Sequence, residues 1–173
     1  FKNGDAHGQG TYTWISGNRY VGEFRDDRFS GTGIKYYTSG SRYEGEWAND
    51  KMHGKGKFTW DTGAVFEGTY VMGNRQGYGV KTSADGNTYE GNWSDDDKNG
   101  QGTFRWANGD HYTGNWLNGQ MSGQGVYTWS DGDKYEGAFE EDVFEGYGVK
   151  WHENGDRYEG TWHKDKMHGK GTY

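Results

Sequence analysis

The segment Tyr43-Glu44-Gly45-Glu46-Trp47-Ala48-Asn49-Asp50-Lys51-Met52-His53-Gly54-Lys55-Gly56-Lys57-Phe58-Thr59-Trp60 decides the fold. Tyr43, Gly45 and Trp47 stand at alternate positions, so in a strand they share one face while Glu44 and Glu46 point the other way. Gly54, Gly56, Phe58 and Trp60 read as the matching face of a second strand, a glycine floor followed by rings. Glycine between two rings lets a neighbouring ring lie over bare backbone. The charged stretch 48–52 reads as a longer loop joining the two strands. Beyond the second strand, Ser39-Gly40, Asp85-Gly86, Asn108-Gly109, Asp131-Gly132 and Asn154-Gly155 read as tight turns, because glycine accepts φ > 0 without steric cost.

The pattern recurs along the whole chain. Aromatic-x-Gly-x-aromatic begins at Tyr20, Tyr43, Phe66, Tyr89, Tyr112, Tyr135 and Tyr158, always 23 residues apart and without insertion. Gly-x-Gly keeps the same spacing from Gly8/Gly10 to Gly169/Gly171, and a turn glycine does so from Gly17 to Gly155. Thirty of the 33 glycines fall at four phased positions; Gly4, Gly73 and Gly119 fall outside them. Two strands and two turns per repeat leave no segment for a helix. The expected architecture is all-β with no helices: an elongated single-layer antiparallel array of β-hairpins, twisted into a groove or half-pipe, each repeat contacting mainly its neighbours. Residues 1–173 are expected to form one continuous array of about seven and a half repeats. It reads as truncated mid-repeat at both ends, since Phe1 is in phase with Phe24, and Tyr173 with Tyr12 and Tyr127.

Composition narrows the function. Only 29% of the chain is hydrophobic and its mean hydropathy is −1.26, a balance typical of disordered chains. Nine Trp, 14 Tyr and 8 Phe supply the missing core, because each packed ring buries on the order of 150–250 Å². The absence of cysteine excludes a disulfide framework and a thiolate metal cluster. No apolar run approaches the ~20 residues of a membrane-spanning helix. A net charge of −7 disfavours nucleic acid and anionic membrane surfaces as partners.

Tyr43-Glu44-Gly45-Glu46-Trp47 followed by His53-Gly54-Lys55-Gly56, and Tyr158…Trp162 followed by His168-Gly169-Lys170-Gly171, resemble the MORN (membrane occupation and recognition nexus) repeat. The resemblance covers the whole chain. It departs from the pattern where Ser30, Gln76, Asn99, Ser122 or Glu145 replaces the histidine, and where Lys35, Lys81 and Lys150 replace the ring found at Tyr12, Phe58, Phe104 and Tyr127. MORN arrays occur in cytoskeletal and ciliary scaffolds, junctional membrane proteins, lipid kinases and a methyltransferase. There they bind phospholipid or peptide partners or self-associate, and catalysis lies outside the repeats.

Sharper chemical readings fail on their own terms. Asp95-x-Asp97-x-Asn99-Gly100 mimics half of a calcium-binding EF-hand loop, but position twelve is Trp106 rather than a bidentate glutamate. His163 and His168 match no familiar metal-ligand spacing and read as packing residues. Gly-x-Gly here opens a strand, whereas a phosphate cradle must open a helix. No nucleophile and base stand in a catalytic arrangement, so no enzymatic activity, metal or cofactor is expected.

A single-layer sheet cannot bury every ring, and exposed aromatic surface marks interaction sites. Trp14, Trp60, Trp106 and Trp129, which share one register position, are the expected partner-binding residues of an aromatic groove. Tyr43, Trp47, Tyr89, Trp93, Tyr112, Trp116, Tyr158 and Trp162 are the expected structural rings. The function expected is a non-catalytic protein-interaction scaffold, cytoplasmic and in a cytoskeletal or membrane-associated assembly. It would bind an extended peptide or helix, or form a homodimer. The alternatives are an anionic-phospholipid-binding tether and a carbohydrate- or choline-binding aromatic repeat.

Overall fold

The computed structural model describes residues 4–173, so the expectation placed on Phe1 lies outside the described residues. Among them no helix occurs. The strands are β1 (Gly8–Thr13), β2 (Arg19–Arg25), β3 (Arg28–Tyr36), β4 (Arg42–Ala48), β5 (Lys51–Thr59), β6 (Val65–Val71), β7 (Asn74–Thr82), β8 (Thr88–Ser94), β9 (Asp97–Arg105), β10 (His111–Leu117), β11 (Gln120–Thr128), β12 (Lys134–Glu140), β13 (Val143–Trp151), β14 (Arg157–His163) and β15 (Lys166–Thr172). All are antiparallel in one open sheet whose strand order is chain order. The chain packs as two compact units. One runs to Ala84 and includes Ser94–Asp96; the other comprises Asp85–Trp93 and Asp97–Tyr173.

In both units the repeating element is a ring laid over a pair of glycines. Gly22 faces Gly33 and Gly45 faces Gly56 in the first unit; Gly114 faces Gly125 and Gly137 faces Gly148 in the second. A Cβ on Gly45 would stand 2.5 Å from the Gly56 Cα, and one on Gly56 would stand 2.5 Å from ring carbons of Tyr43. No side chain fits between ring and sheet. Tyr20, Tyr43, Tyr112 and Tyr135 are thereby 0% exposed although the sheet has a single layer. Each phenol then reaches past its glycine and donates to a backbone carbonyl three residues on: Tyr20 to Glu23 at 3.0 Å, Tyr43 to Glu46 at 3.0 Å, Tyr112 to Asn115 at 2.9 Å.

Those carbonyls lie where the hairpin register slips. After Gly45↔Gly56 the next pair is Glu46↔His53, a shift of two residues that keeps every side chain on its face. The first glycine of Gly-x-Gly makes this bulge. Gly54 has φ +62 rather than lying flat in the strand as the alternation suggested. Glu46 closes over it and accepts the freed Lys55 amide at 2.8 Å. The indole supplies the link between repeats. Trp47 Nε1 donates to the Gly33 carbonyl at 3.0 Å, Trp116 to Gly102 and Trp162 to Gly148 at 3.2 Å, and Trp47 meets Tyr20 and Tyr43 edge-on at 5.2 and 5.1 Å.

Turn lengths are the reverse of those read from the sequence. The charged link within a repeat is a two-residue type I′ turn with both residues at positive φ, as in Asn49 (48°) and Asp50 (67°). The glycine-marked link between repeats has five residues, 14–18 in its first copy, closed by Trp14 N→Asn18 O and Gly17 N→Trp14 O, both 2.9 Å. The unassigned glycines thus acquire a place. Gly73 and Gly119 are second residues of type I′ turns, where other repeats use Asp27, Asp50, Asp96, Asp142 and Asp165. Each of those five aspartates accepts an amide of the preceding repeat (Ala6, Phe29, Arg75, Met121 and Phe144) at 2.7–3.0 Å.

Phe66 holds the tyrosine position of its repeat but brings no hydroxyl. Tyr43→Phe should therefore cost, and Phe66→Tyr add, about 0.5–1.5 kcal/mol, the net worth of one such hydrogen bond, as read by urea unfolding. The buried phenols also set an alkaline limit. Burial, with the charges of Glu23 and Asp50 adding to it, pushes Tyr20 up to about 12 from 10.0, and burial moves Tyr43, Tyr89, Tyr112 and Tyr135 upward in the same direction. A raised folded value contributes stability that is whole below pH 10 and is lost as pH rises through 12. Phenolate absorbance from these rings should appear together with loss of the β-sheet circular dichroism signal, not ahead of it.

Candidate functional site

On the ring face of the sheet, two register positions per repeat lie toward the five-residue turns and stay accessible. One is the last inward residue of the second strand: Tyr12, Lys35, Phe58, Lys81, Phe104, Tyr127 and Lys150. The other opens the five-residue turn: Trp14, Tyr37, Trp60, Ser83, Trp106, Trp129 and His152. Tyr12 is exposed and the others half-buried. Trp14, Trp60, Trp106 and Trp129 lie just past strand ends. By contrast Tyr43, Trp47, Tyr89, Trp93, Tyr112, Trp116, Tyr158 and Trp162 are at most 5% exposed.

Within each unit these positions join into a continuous line. In the first, Lys35 Nζ lies 4.7 Å from the Trp14 ring and 5.0 Å from that of Tyr37. Tyr37 then meets Phe58 at 5.8 Å, Phe58 meets Trp60 at 4.6 Å, and Lys81 Nζ stands 5.6 Å from the Trp60 ring. In the second, Phe104, Trp106, Tyr127 and Trp129 follow at 4.6, 5.1 and 4.6 Å, and Lys150 Nζ ends the line 4.7 Å from Trp129. Trp14 is thus connected to Trp60 and Trp106 to Trp129. Of the residues that connect them, Lys35, Phe58 and Tyr127 are legible in the sequence only as a variable register position, and Tyr37 only as a ring in register with the tryptophans.

The lysines have a packing origin. Each strand ring is flanked by one flat group and one slim chain. Tyr20 stacks on Phe29 at 3.9 Å and faces Lys35 across the strands; Tyr135 stacks on Phe144 at 3.9 Å and faces Lys150; Phe66 lies 5.5 Å from the Arg75 guanidinium and faces Lys81. Where the facing residue is itself a ring, the stacking position is slim: Met52 with Phe58, Lys98 with Phe104, Met121 with Tyr127. This exchange was the legible signal, since the two positions lie six residues apart in every repeat.

Charge separates the three lysines. Lys150 Nζ is 3.2 Å from Asp133, which also binds His152 Nδ1 at 2.9 Å and the Glu153 amide at 3.0 Å. Among the described residues Lys35 and Lys81 have no carboxylate within ion-pair distance. Burial pushes both amines down, with the nearby charge of Arg75 adding to it at Lys81.

The opposite face of the first unit carries a depression of about 1000 Å³ bounded by Arg42, Glu44, Lys55, Lys57, Glu67 and Tyr78. Some of its charged groups meet polar neighbours. Arg42 is 3.9 Å from Glu44, Lys57 lies in register with Glu44 and Glu67, and Lys55 Nζ donates to Thr69 at 2.9 Å. In the calcium look-alike, Asp95 and Asp96 form a type I′ turn, and Arg75 Nε takes the Asp96 carboxylate at 2.9 Å. His163 Nδ1 pairs with Glu145 at 2.9 Å, with the His168 ring 5.9 Å away. Among the described residues no three metal-ligating side chains cluster, and no helix is long and apolar enough to cross a membrane.

The MORN repeat family matches the chain in eight consecutive segments: residues 1–19, 20–42, 43–65, 66–88, 89–111, 112–134, 135–157 and 158–173. No curated protein matches the sequence. Among solved structures, the chain is similar to the TCP domain of Drosophila melanogaster SAS-4 (dCPAP), solved in complex with a proline-rich motif of Ana2 (dSTIL). Identity is 14%, coverage 98% of this chain and 88% of that one, and the TM-score 0.51. A second structure, the TCP10c domain of Drosophila melanogaster Sas-4, aligns at 14% identity over 91% of this chain and 93% of that one, with a TM-score of 0.47.

Asp133 offers a test of how the line is held. Burial pushes its carboxyl up, but hydrogen bonds from Glu153, Lys150 and His152 outweigh this and hold it below its ordinary 3.8. The stability it contributes is present above that value and lost as pH falls below it. Asp133→Asn should cost about 1 kcal/mol at neutral pH. Its melting temperature should fall less steeply than that of the parent protein on acidification below about pH 4.

Proposed function

We propose that this chain, which belongs to the MORN repeat family, is a non-catalytic protein-interaction scaffold of a cytoskeletal assembly, acting through residues 1–173 as one continuous array. Its ligand is an extended peptide laid across the strands on the ring face of a unit, against Trp14 and Trp60 in the first or Trp106 and Trp129 in the second. The observation that carries this reading is selective exposure: these four indoles stay half-buried while the rings of the Tyr-x-Gly-x-Trp elements are buried. Flat rings in line, with a polar edge at each indole N–H, suit segments that are already extended and lose little entropy on binding. The likeness in fold to a domain solved with a proline-rich motif is consistent with that ligand class. The depression on the opposite face is a weaker site because it offers one exposed ring, Tyr78, among charged side chains.

A polyproline peptide, titrated against the chain and followed by calorimetry, tests the assignment. Trp60→Ala and Trp106→Ala should each weaken binding about tenfold, on the scale of ~1–2 kcal/mol for an interface ring. Tyr78→Ala, on the opposite face, should leave it unchanged. Binding lost with Tyr78→Ala but kept in both tryptophan variants would place the ligand in the polar depression instead.

A further inference from the structure

On its ring face the first unit leaves two cations without a carboxylate. Lys35 and Lys81 lie on the ring face, each over the indole of the preceding repeat, with no carboxylate in reach among the described residues. Packing requires only a slim chain there, a role that Met52 and Met121 fill beside other strand rings. The ammonium is surplus to that role, and it costs something. Both amines are half-buried and pushed down by desolvation, so their charge is held at a disadvantage in the free protein. An arriving carboxylate would gain what the fold withholds.

Spacing defines what brings it. Lys35 is on β3 and Lys81 on β7, four strand steps apart, or about 19 Å at ~4.8 Å per strand. Midway, on and just beyond β5, stand the paired rings of Phe58 and Trp60, 4.6 Å apart. A polyproline II chain rises ~3.1 Å per residue with three residues per turn, so one turn covers ~9.3 Å against ~9.6 Å for one repeat. Residues three and six positions on therefore face the sheet again, at the ring pair and at the second lysine. A flat β-strand would present its third residue to solvent instead.

We infer that the ring face of the first unit reads a polyproline II segment carrying two carboxylates six residues apart with a proline midway, the acids paired to Lys35 and Lys81 and the proline set on Phe58 and Trp60. This rests on the aromatic-face reading above and adds the chemical class of the ligand. The second unit has no equivalent, because Asp133 already occupies the ammonium of Lys150 at 3.2 Å.

The test uses the whole chain and three polyproline peptides of about twelve residues. One carries two aspartates six apart, one carries asparagines at the same places, and one has its aspartates five apart. Calorimetry at about 50 mM salt should show the six-spaced aspartate peptide bound about tenfold tighter than either of the others. That advantage should fall below about twofold in a double Lys35→Met, Lys81→Met variant, or in the matching glutamine pair should the methionine pair fail to fold. It should survive Lys150→Met. Equal affinity of wild type for aspartate and asparagine peptides overturns the carboxylate code while leaving the aromatic-face reading intact; binding of none of them overturns both. An aspartate preference that persists without the two lysines also overturns the inference. So does Lys35- and Lys81-dependent capture of phosphatidylserine vesicles with no aspartate preference, or a concentration-dependent dimer that hides both lysines.

Discussion

A tyrosine ring lying flat on two glycines faced across a hairpin is the constraint from which the rest of the structure follows. A single-layer sheet has no second layer to bury its apolar face, and a chain that is 29% hydrophobic has little aliphatic material to build one. Removing both Cβ atoms lets the ring sink onto the backbone, so that Tyr43 is wholly buried by its own hairpin and the rings of Trp47 and Tyr70. The same removal fixes where the hairpin slips, because Tyr43 Oη satisfies the Glu46 carbonyl that the slip exposes. Ring, glycine pair and bulge are one device. Losing any part leaves either a clash of about 2.5 Å or a buried polar group without a partner.

Because that device is complete within one hairpin, the repeats need only a few directional links. Trp47 Nε1 donating to the Gly33 carbonyl and the Phe29 amide donating to Asp50 are two examples at the same junction. Burial is therefore spent close to each hairpin's bulge and type I′ turn. Toward the five-residue turns the packing thins, and there Trp14, Trp60, Trp106 and Trp129 remain half-buried. The proposed interaction surface arises from the same geometry as the core. It consists of the rings that the device leaves over, one step further along each second strand.

Much of this was legible in the sequence, because period and alternation report directly on strand geometry. The strands, the all-β class and the burial-prone face at Tyr43, Gly45 and Trp47 follow from residues at alternate positions. The turns were misread because residue chemistry signals positive φ ambiguously. Asn49-Asp50 carries no glycine yet adopts a two-residue type I′ turn, while Ser39-Gly40 lies inside a five-residue one. Gly54 was read as strand floor although it is the bulge, since a glycine that bares a surface and one that permits φ +62 look alike in one dimension. Gly73 and Gly119 seemed out of phase only because their partners in register are aspartates. The Lys35 substitution stayed unexplained until the fold showed that Phe29 and Lys35 flank one ring, which makes their volumes compensate.

Volume compensation explains the slimness of Lys35, Lys81 and Lys150 but not their charge. The stacking position beside Tyr43 and Tyr112 takes methionine, which fills an equivalent gap, needs no counter-ion and loses nothing to desolvation. An ammonium over an indole recovers about 0.5–1 kcal/mol at an exposed site and more when desolvated, set against the cost of desolvating the amine. For Lys150 the balance closes through Asp133 and its neighbour His152, within the fold itself. For Lys35 and Lys81 no such partner is present among the described residues, in a chain with seven more acidic than basic side chains. Two cations without a carboxylate, on the aromatic face of a chain with acid to spare, are what the proposed acidic ligand would answer.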